Sequence, residues 1–408
     1  MILGLGLCLP GSVTAQPGPG PAPSAPALAT EAPGAPAPPV LIAPVQPPAA
    51  DSILPAEPAV VETKDAAAAV DGTGPDPSAA EPPEPEWPVF TFHARVLTGF
   101  EVEREHPEGD QSVADETQTG FFLEQAVVEA EVDLSKRIHL ELGFNIRTAA
   151  VRDAYVNYKV SDALELRAGR FKRPFSRLQL RSRGRIPFRD RGPFNNLMED
   201  AQFVGRTLGA MVWGEPIPGL RYYAALMDPA QIGSGIEGVD LMGRVVYDPA
   251  PWLSIGLAGL HKWSERFADG DSLSLHGLGG DVKVELGDLE VTLEADAVQN
   301  PNPAAVPGQA ADPTRTPWAV GAIGYATYTF KLSKKWSIEP VLVLEWLDPD
   351  TDYTQDEQVR AVGGLSWNYQ KNILRIMPQI ELTRATGDAS ARSEIASETY
   401  YLMVAAEI

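Results

Sequence analysis

Residues Gln125–Arg147 read QAVVEAEVDLSKRIHLELGFNIR, two alternating runs joined at Ser135–Arg137. In the first, Ala126, Val128, Ala130, Val132 and Leu134 alternate with Gln125, Val127, Glu129, Glu131 and Asp133. In the second, Ile138, Leu140, Leu142, Phe144 and Ile146 alternate with His139, Glu141, Gly143, Asn145 and Arg147. A period of two is the signature of a strand whose faces meet different surroundings. Here one face is apolar throughout and the other carries charge. The polar turn between the runs is too short for anything but a hairpin.

The same texture runs outward from Val89 to Ile408. Phe92, Ala94, Val96, Thr98, Phe100 and Val102 alternate with His93, Arg95, Leu97, Gly99 and Glu101. Leu289, Val291, Leu293, Ala295 and Ala297 do so with Glu290, Thr292, Glu294 and Asp296, and Trp336–Trp346 repeats the pattern. The connections alternate in length. Short ones fall near Ser135–Arg137, Ser161–Ala163, Glu215–Gly219, Asp248–Pro251, Gly287–Asp288, Lys331–Lys335 and Gln370–Asn372. Longer polar ones fall between them, Thr148–Ala150 alone being short on that side. Apolar-out, polar-in strands with tight turns at one end and long loops at the other predict an all-β transmembrane antiparallel barrel of about 16 strands. Trp213, Trp252, Trp263, Trp318, Trp336, Trp346 and Trp367 fall near predicted strand ends, where aromatic girdles meet the membrane interfaces. The competing architecture is a soluble β-sandwich or propeller, which would turn its apolar faces inward.

Composition narrows the function. With 33 Lys+Arg against 55 Asp+Glu, a formal charge of −22 excludes a general nucleic-acid binder, which needs a basic surface. Residues 1–15 read as a signal peptide with Val13-Thr14-Ala15 as the cleavage site and an incomplete basic start. Residues 16–88 form a Pro/Ala-rich segment; residues 1–88 hold 21 of the 38 prolines, too many for a packed core. This segment predicts a disordered periplasmic linker ahead of a barrel domain spanning 89–408. No later run approaches the 18 or so apolar residues of a membrane-spanning helix, which says nothing against a barrel.

One stretch opposes the acidic background. Arg167–Arg191, RAGRFKRPFSRLQLRSRGRIPFRDR, sets ten bases (Arg167, Arg170, Lys172, Arg173, Arg177, Arg181, Arg183, Arg185, Arg189 and Arg191) against Asp190. Such a patch collects anions. The fifth strand, Leu164–Arg170, carries Leu164, Leu166 and Ala168 toward lipid and Glu165, Arg167 and Gly169 toward the lumen, and leads into the longest connection. Phe171, Phe175, Leu178, Leu180, Ile186, Phe188 and Phe194 make that connection too apolar for free solvation. It is expected to fold inward, packing its apolar residues on the wall and turning arginines into the lumen.

Gly169-Arg170-Phe171-Lys172-Arg173-Pro174-Phe175-Ser176, then Phe188, Arg191 and Gly205-Arg206-Thr207-Leu208-Gly209, resemble the phosphate-selective porin O and P family. Arg152-Asp153-Ala154-Tyr155-Val156-Asn157-Tyr158 resembles its strand leading into the loop, and the resemblance covers roughly Phe90–Ile408. It implies a 16-stranded outer-membrane barrel, usually trimeric, whose inward third loop narrows the pore and whose arginines and lysines conduct phosphate-like anions.

The expected function is passive diffusion of small anions past a basic constriction, with the ten bases above as pore-lining and anion-binding residues. Arg95, Arg147, Arg206, Arg221, Arg244, Arg360 and Arg375 extend the path along the wall or balance neighbouring carboxylates such as Glu101, Glu129, Glu141, Glu294, Glu345 and Glu381. Expected partners are small anions, outer-membrane lipid and lipopolysaccharide, and two further copies in a homotrimer. The alternatives are a general or differently selective porin, a structural barrel tethered through the linker, and a basic patch gripping lipopolysaccharide. An enzyme is not expected: no G-x-S-x-G occurs, and His93, His106, His139, His261 and His276 lack ligand spacing. No cofactor or metal is expected either. Asp348, Asp350 and Asp352 imitate the start of a calcium loop but lack its glycine and closing glutamate.

Overall fold

The structure is a computed structural model that describes residues 86–408 apart from 109–115, 230–236, 267–270, 302–314, 354, 355, 371 and 387–393. The signal segment 1–15 and nearly all of the linker 16–88 lie outside the described residues.

From Val89 on the chain is a meander: β1 (Val89–Glu108), β2 (Glu116–Ser135), β3 (Ile138–Asn145), β4 (Ala150–Ser161), β5 (Leu164–Lys172), β6 (Arg206–Ile217), β7 (Leu220–Met227), β8 (Glu237–Ala250), β9 (Leu253–Arg266), β10 (Asp271–Leu286), β11 (Leu289–Gln299), β12 (Trp318–Tyr328), β13 (Phe330–Lys331), β14 (Trp336–Asp348), β15 (Glu357–Tyr369), β16 (Leu374–Thr386) and β17 (Glu394–Glu407). Neighbours pair antiparallel, and β17 returns to β1 from Arg95↔Glu407 to Glu108↔Glu394, which closes the cylinder. The two-residue β13 continues β12 against β14, so the wall has the expected sixteen staves with one extra piece. Closure leaves no free sheet edge, the condition for a β-structure in lipid.

The alternation sorts residues as the sequence predicted. Leu142, Val156, Leu257, Leu278, Leu293, Leu344 and Leu402 are exposed on the outside, where lipid covers them. Glu129, Glu141, Asn157, Arg244, Glu294 and Glu345 are buried within. Trp252, Trp263, Trp336, Trp346 and Trp367 are exposed near strand ends, as a girdle requires. Trp213 is the departure: it sits on the inward phase of β6, and its Nε1 donates to Asn157 Oδ1 at 3.0 Å.

One irregularity re-aims a charge. Between Leu142 and Phe144 the β3–β4 register slips, and the consecutive Arg152 and Asp153 are both buried. A bulge of this kind turns two successive side chains to one face. Gly143 lies opposite, where a Cβ would come within 3.3 Å of Glu129 Cγ.

Leu257 is 66% exposed on the outer face of β9. Leu257→Arg is expected to cost about 2–4 kcal/mol if the site is near the bilayer midplane. Urea unfolding from lipid vesicles reads this; an unchanged midpoint would place Leu257 away from the hydrocarbon.

Candidate functional site: an inward-folded basic loop

The connection from Arg173 to Gly205 lies inside the cylinder. Of the seven apolar residues singled out above, Phe171 lies on β5 and six lie in this connection; all are buried, Phe175 completely. Phe171, Phe175, Phe194 and Phe203 pack with Met211, Met227, Met242 and Leu260 of the β6–β9 wall. Leu178, Ile186 and Phe188 pack on Tyr325, Val341, Val343 and Val362 of the opposite wall. Inward apolar wall residues such as Val341 and Val343 thus have a purpose: they seat the loop. Most of the stretch thus lies inside the cylinder and not on its outer surface.

A plain loop was expected, but this one carries helical turns. Ser176 caps α1 (Arg177–Leu180), its hydroxyl accepting from Gln179 N at 3.0 Å. A short 3₁₀ turn follows at Arg183–Arg185, and α2 (Gly192–Asp200) opens with Pro193, whose fixed φ suits a first turn. Gly192 at φ +88° needs glycine, and a Cβ there would strike the Glu345 carboxylate.

The ten bases divide by partner. Arg173 pairs with Asp240 at 2.5 Å and also donates to the Asp228 carbonyl. Arg177 pairs with Asp281, which Arg244 shares, and Arg181 with Glu290 and the Tyr325 hydroxyl. Arg183 reaches Glu124 at 2.8 Å, and Arg189 reaches Glu101. These five arginines fasten the loop to wall carboxylates. Carboxylates on the inner wall are thus the loop's docking partners.

The rest are held otherwise. Lys172 donates its ammonium to the carbonyls of Gln179 and Leu180, and Arg191 donates to those of Leu178 and Arg181. Arg167 stacks over the Tyr155 ring at 4.2 Å, with its Nε 3.4 Å from Asn157 Oδ1. Arg185 is exposed. Arg170 takes the outward phase of β5 with Leu166 and Ala168, its Nε donating to the Val151 carbonyl at 3.1 Å. It turns away from the lumen side that Arg167 faces.

Three wall residues complete the fastening. Arg360, 1% exposed, reaches Glu345 at 3.0 Å, Glu381 at 2.9 Å and loop Asp190 at 2.8 Å. Lys262 holds the carbonyls of Ala201 and Gln202 at the loop's exit and lies 3.7 Å from Asp240. Arg375 donates to the carbonyls of Gly184 and Ile186. Alternation alone placed Arg360 and Arg375 in the lumen; their loop partners required the fold. Burial shifts the loop's own charges as well. It lowers the Arg191 guanidinium to about 9, against the pull of Glu199, and raises the Glu199 carboxyl despite Arg191 and Arg206.

Among the described residues no group of three or more side chains is arranged to hold a metal ion. A closed, lipid-faced barrel with a connection folded inside it has the architecture of a porin. Residues 118–220, which contain the whole basic stretch, match the family model "Phosphate-selective porin O and P". No curated protein matches the chain. Among solved structures it is similar to an anion-selective porin from Comamonas acidovorans, at TM-score 0.53 and 12% identity over 79% of this chain and 100% of that one. It is also similar to the outer-membrane channel DcaP of Acinetobacter baumannii, at TM-score 0.55 and 10% identity over 79% and 97%. Pseudomonas putida OprB follows at TM-score 0.51 and 12% identity over 78% and 94%. These likenesses show the shared fold.

Proposed function

We propose that the protein is a channel for passive diffusion of small, phosphate-like anions, narrowed by the basic loop. One observation carries the sign of the charge. Lys172 and Arg375 are buried, and their ammonium and guanidinium groups are held by loop carbonyls rather than carboxylates. Neutral dipoles satisfy a cation's hydrogen bonds without cancelling its charge. Positive charge held in this way beside the loop supports the reading, since anion selection at a constriction needs it. The family match over 118–220 and the likeness to a porin named as anion-selective support the same reading.

The experiment is the reversal potential of single channels in a potassium chloride gradient, where chloride is expected to permeate preferentially. Preference for potassium, or no conductance, would overturn the reading. Arg185→Glu is the fitting variant because it touches exposed charge and no latch. It is expected to lower anion preference severalfold while leaving stability within about 0.5 kcal/mol. A lower preference with Arg185→Glu and none with uncharged solutes points to a field effect rather than a change of bore.

A second reading has an observation of its own. Because Arg173, Arg177, Arg181, Arg183 and Arg189 are spent on carboxylates, the loop's charge serves attachment first. A general porin with weak selectivity would show a reversal potential near zero. We further propose a homotrimer in the outer membrane, as the family resemblance implies, with residues 1–15 cleaved and 16–88 in the periplasm. Cross-linking of the purified barrel reads the oligomer.

A further inference from the structure

A cavity of about 790 Å³ opens at the short-turn end of the lumen, below the loop and away from its latches. It lies between the β4–β5 turn at Ser161–Ala163 and the β6–β7 turn at Pro216–Pro218, with Lys172 and Pro174 at its loop side. Its size is that of a small-molecule site, and apolar side chains share its lining with charged ones. We propose that it is a binding station for small aromatic carboxylates, whose ring lies on Trp213 and Tyr223 and whose carboxylate meets the Arg167 guanidinium. This goes beyond the anion-channel reading by naming a solute class, and it rests on that reading only for the solute's delivery.

The flat wall comes first. Trp213 on β6 and Tyr223 on β7 are direct cross-strand partners, with ring planes 7° apart and centroids 6.1 Å apart. The two rings are parallel and stacked, and together they form an aromatic wall of the cavity. The Trp213 Nε1 donates to Asn157, which pins the ring in place.

The charge comes next. Arg167 is 4% exposed and lies over Tyr155, with Phe171 and Trp213 each 5.7 Å from its Cζ. Among the described residues no carboxylate stands within ion-pair distance of it, and its one hydrogen bond is the long Nε contact to Asn157. Stacking fixes the guanidinium plane but cannot neutralise it. A buried, planar, uncancelled guanidinium matches a carboxylate's paired oxygens.

The remaining polar groups say what the site refuses. Asn157 Nδ2 is spent on Glu165 at 2.6 Å, Lys159 on Asp162 at 2.7 Å, and Arg221 on Asp248 at 2.8 Å. A sugar phosphate would bring hydroxyls that need in-plane donors and acceptors, and these are engaged with one another. An aromatic acid asks only for a face and a cation.

The test is calorimetric titration of the full-length barrel in detergent with benzoate, acetate, benzyl alcohol and glucose 6-phosphate. Benzoate is expected to bind at least about tenfold more tightly than each of the others, since it alone uses both the face and the charge. Trp213→Ala should bring benzoate down to the level of acetate, and Arg167→Gln to the level of benzyl alcohol. Trp213→Phe keeps a ring in place and should retain most of the preference. Equal affinity for benzoate and acetate in the unaltered protein, or tighter binding of glucose 6-phosphate, would overturn the proposal without recourse to any variant. Full benzoate binding by both folded Trp213→Ala and Arg167→Gln would overturn it too. The expected ratios in a barrel that passes no current would uphold the site and count against the channel.

Discussion

Arg360→Met will loosen the loop from the β14–β16 wall and raise both single-channel conductance and its noise. The guanidinium lies between three carboxylates: Glu345 and Glu381 on the wall and Asp190 on the loop. Glu345 also accepts from Phe194 N at 2.9 Å, so the same cluster anchors the start of α2. Methionine matches the stem and removes the charge. The carboxylates are then left facing one another where water is scarce. Breaking a buried pair by removing one partner costs about 3–5 kcal/mol, because the survivor keeps its desolvation cost. Paired strands do not depend on Arg360, so the barrel should persist while the loop comes free. Wild-type conductance and noise, with an unmoved unfolding midpoint, would show that apolar packing alone seats the loop.

Asp240→Asn is expected to unfasten the loop from its two ends at once. The carboxylate, fully buried on β8, lies 2.5 Å from Arg173 at the loop's entry and 3.7 Å from Lys262, which binds the exit carbonyls. Asparagine keeps the shape and removes the carboxylate charge beside two buried cations, again at about 3–5 kcal/mol. The two variants share a mechanical effect and differ in sign. Losing Arg360 makes the lumen more negative and should lower anion preference. Losing the Asp240 charge makes it more positive and should raise it. Reversal potentials moving in opposite directions, with both conductances rising, would separate fastening from field. Shifts of the same sign would mean that loop displacement alone sets selectivity.

The fold was legible because lipid imposes a period of two on every strand. Glu129, Glu141 and Arg167 could be assigned to the lumen from their neighbours' alternation alone, and Phe92, Leu142 and Leu344 to lipid. The inward course of the loop was legible too, from seven apolar residues within a basic run. Trp213 shows the limit of reading by position: its place near a strand end fits a girdle, but its phase on β6 turns it inward. Arg170 shows another, since phase at the top of β5 sends it outward although its neighbours in sequence face the pore. Arg152 was set by a bulge that no local pattern announces.

The sequence by itself determined a lipid-faced barrel, its strand number, and a basic, apolar connection that had to fold into the lumen. Only the tertiary structure decided what those charges do. Alternation is a local property, fixed by each strand's own residues, whereas an arginine's charge is cancelled or kept according to a partner far away in the chain. Arg173 finds a carboxylate on β8, Arg375 finds loop carbonyls, and Arg167 finds aromatic faces. Those three outcomes make one a latch, one a tie to the loop backbone and one a candidate ligand contact.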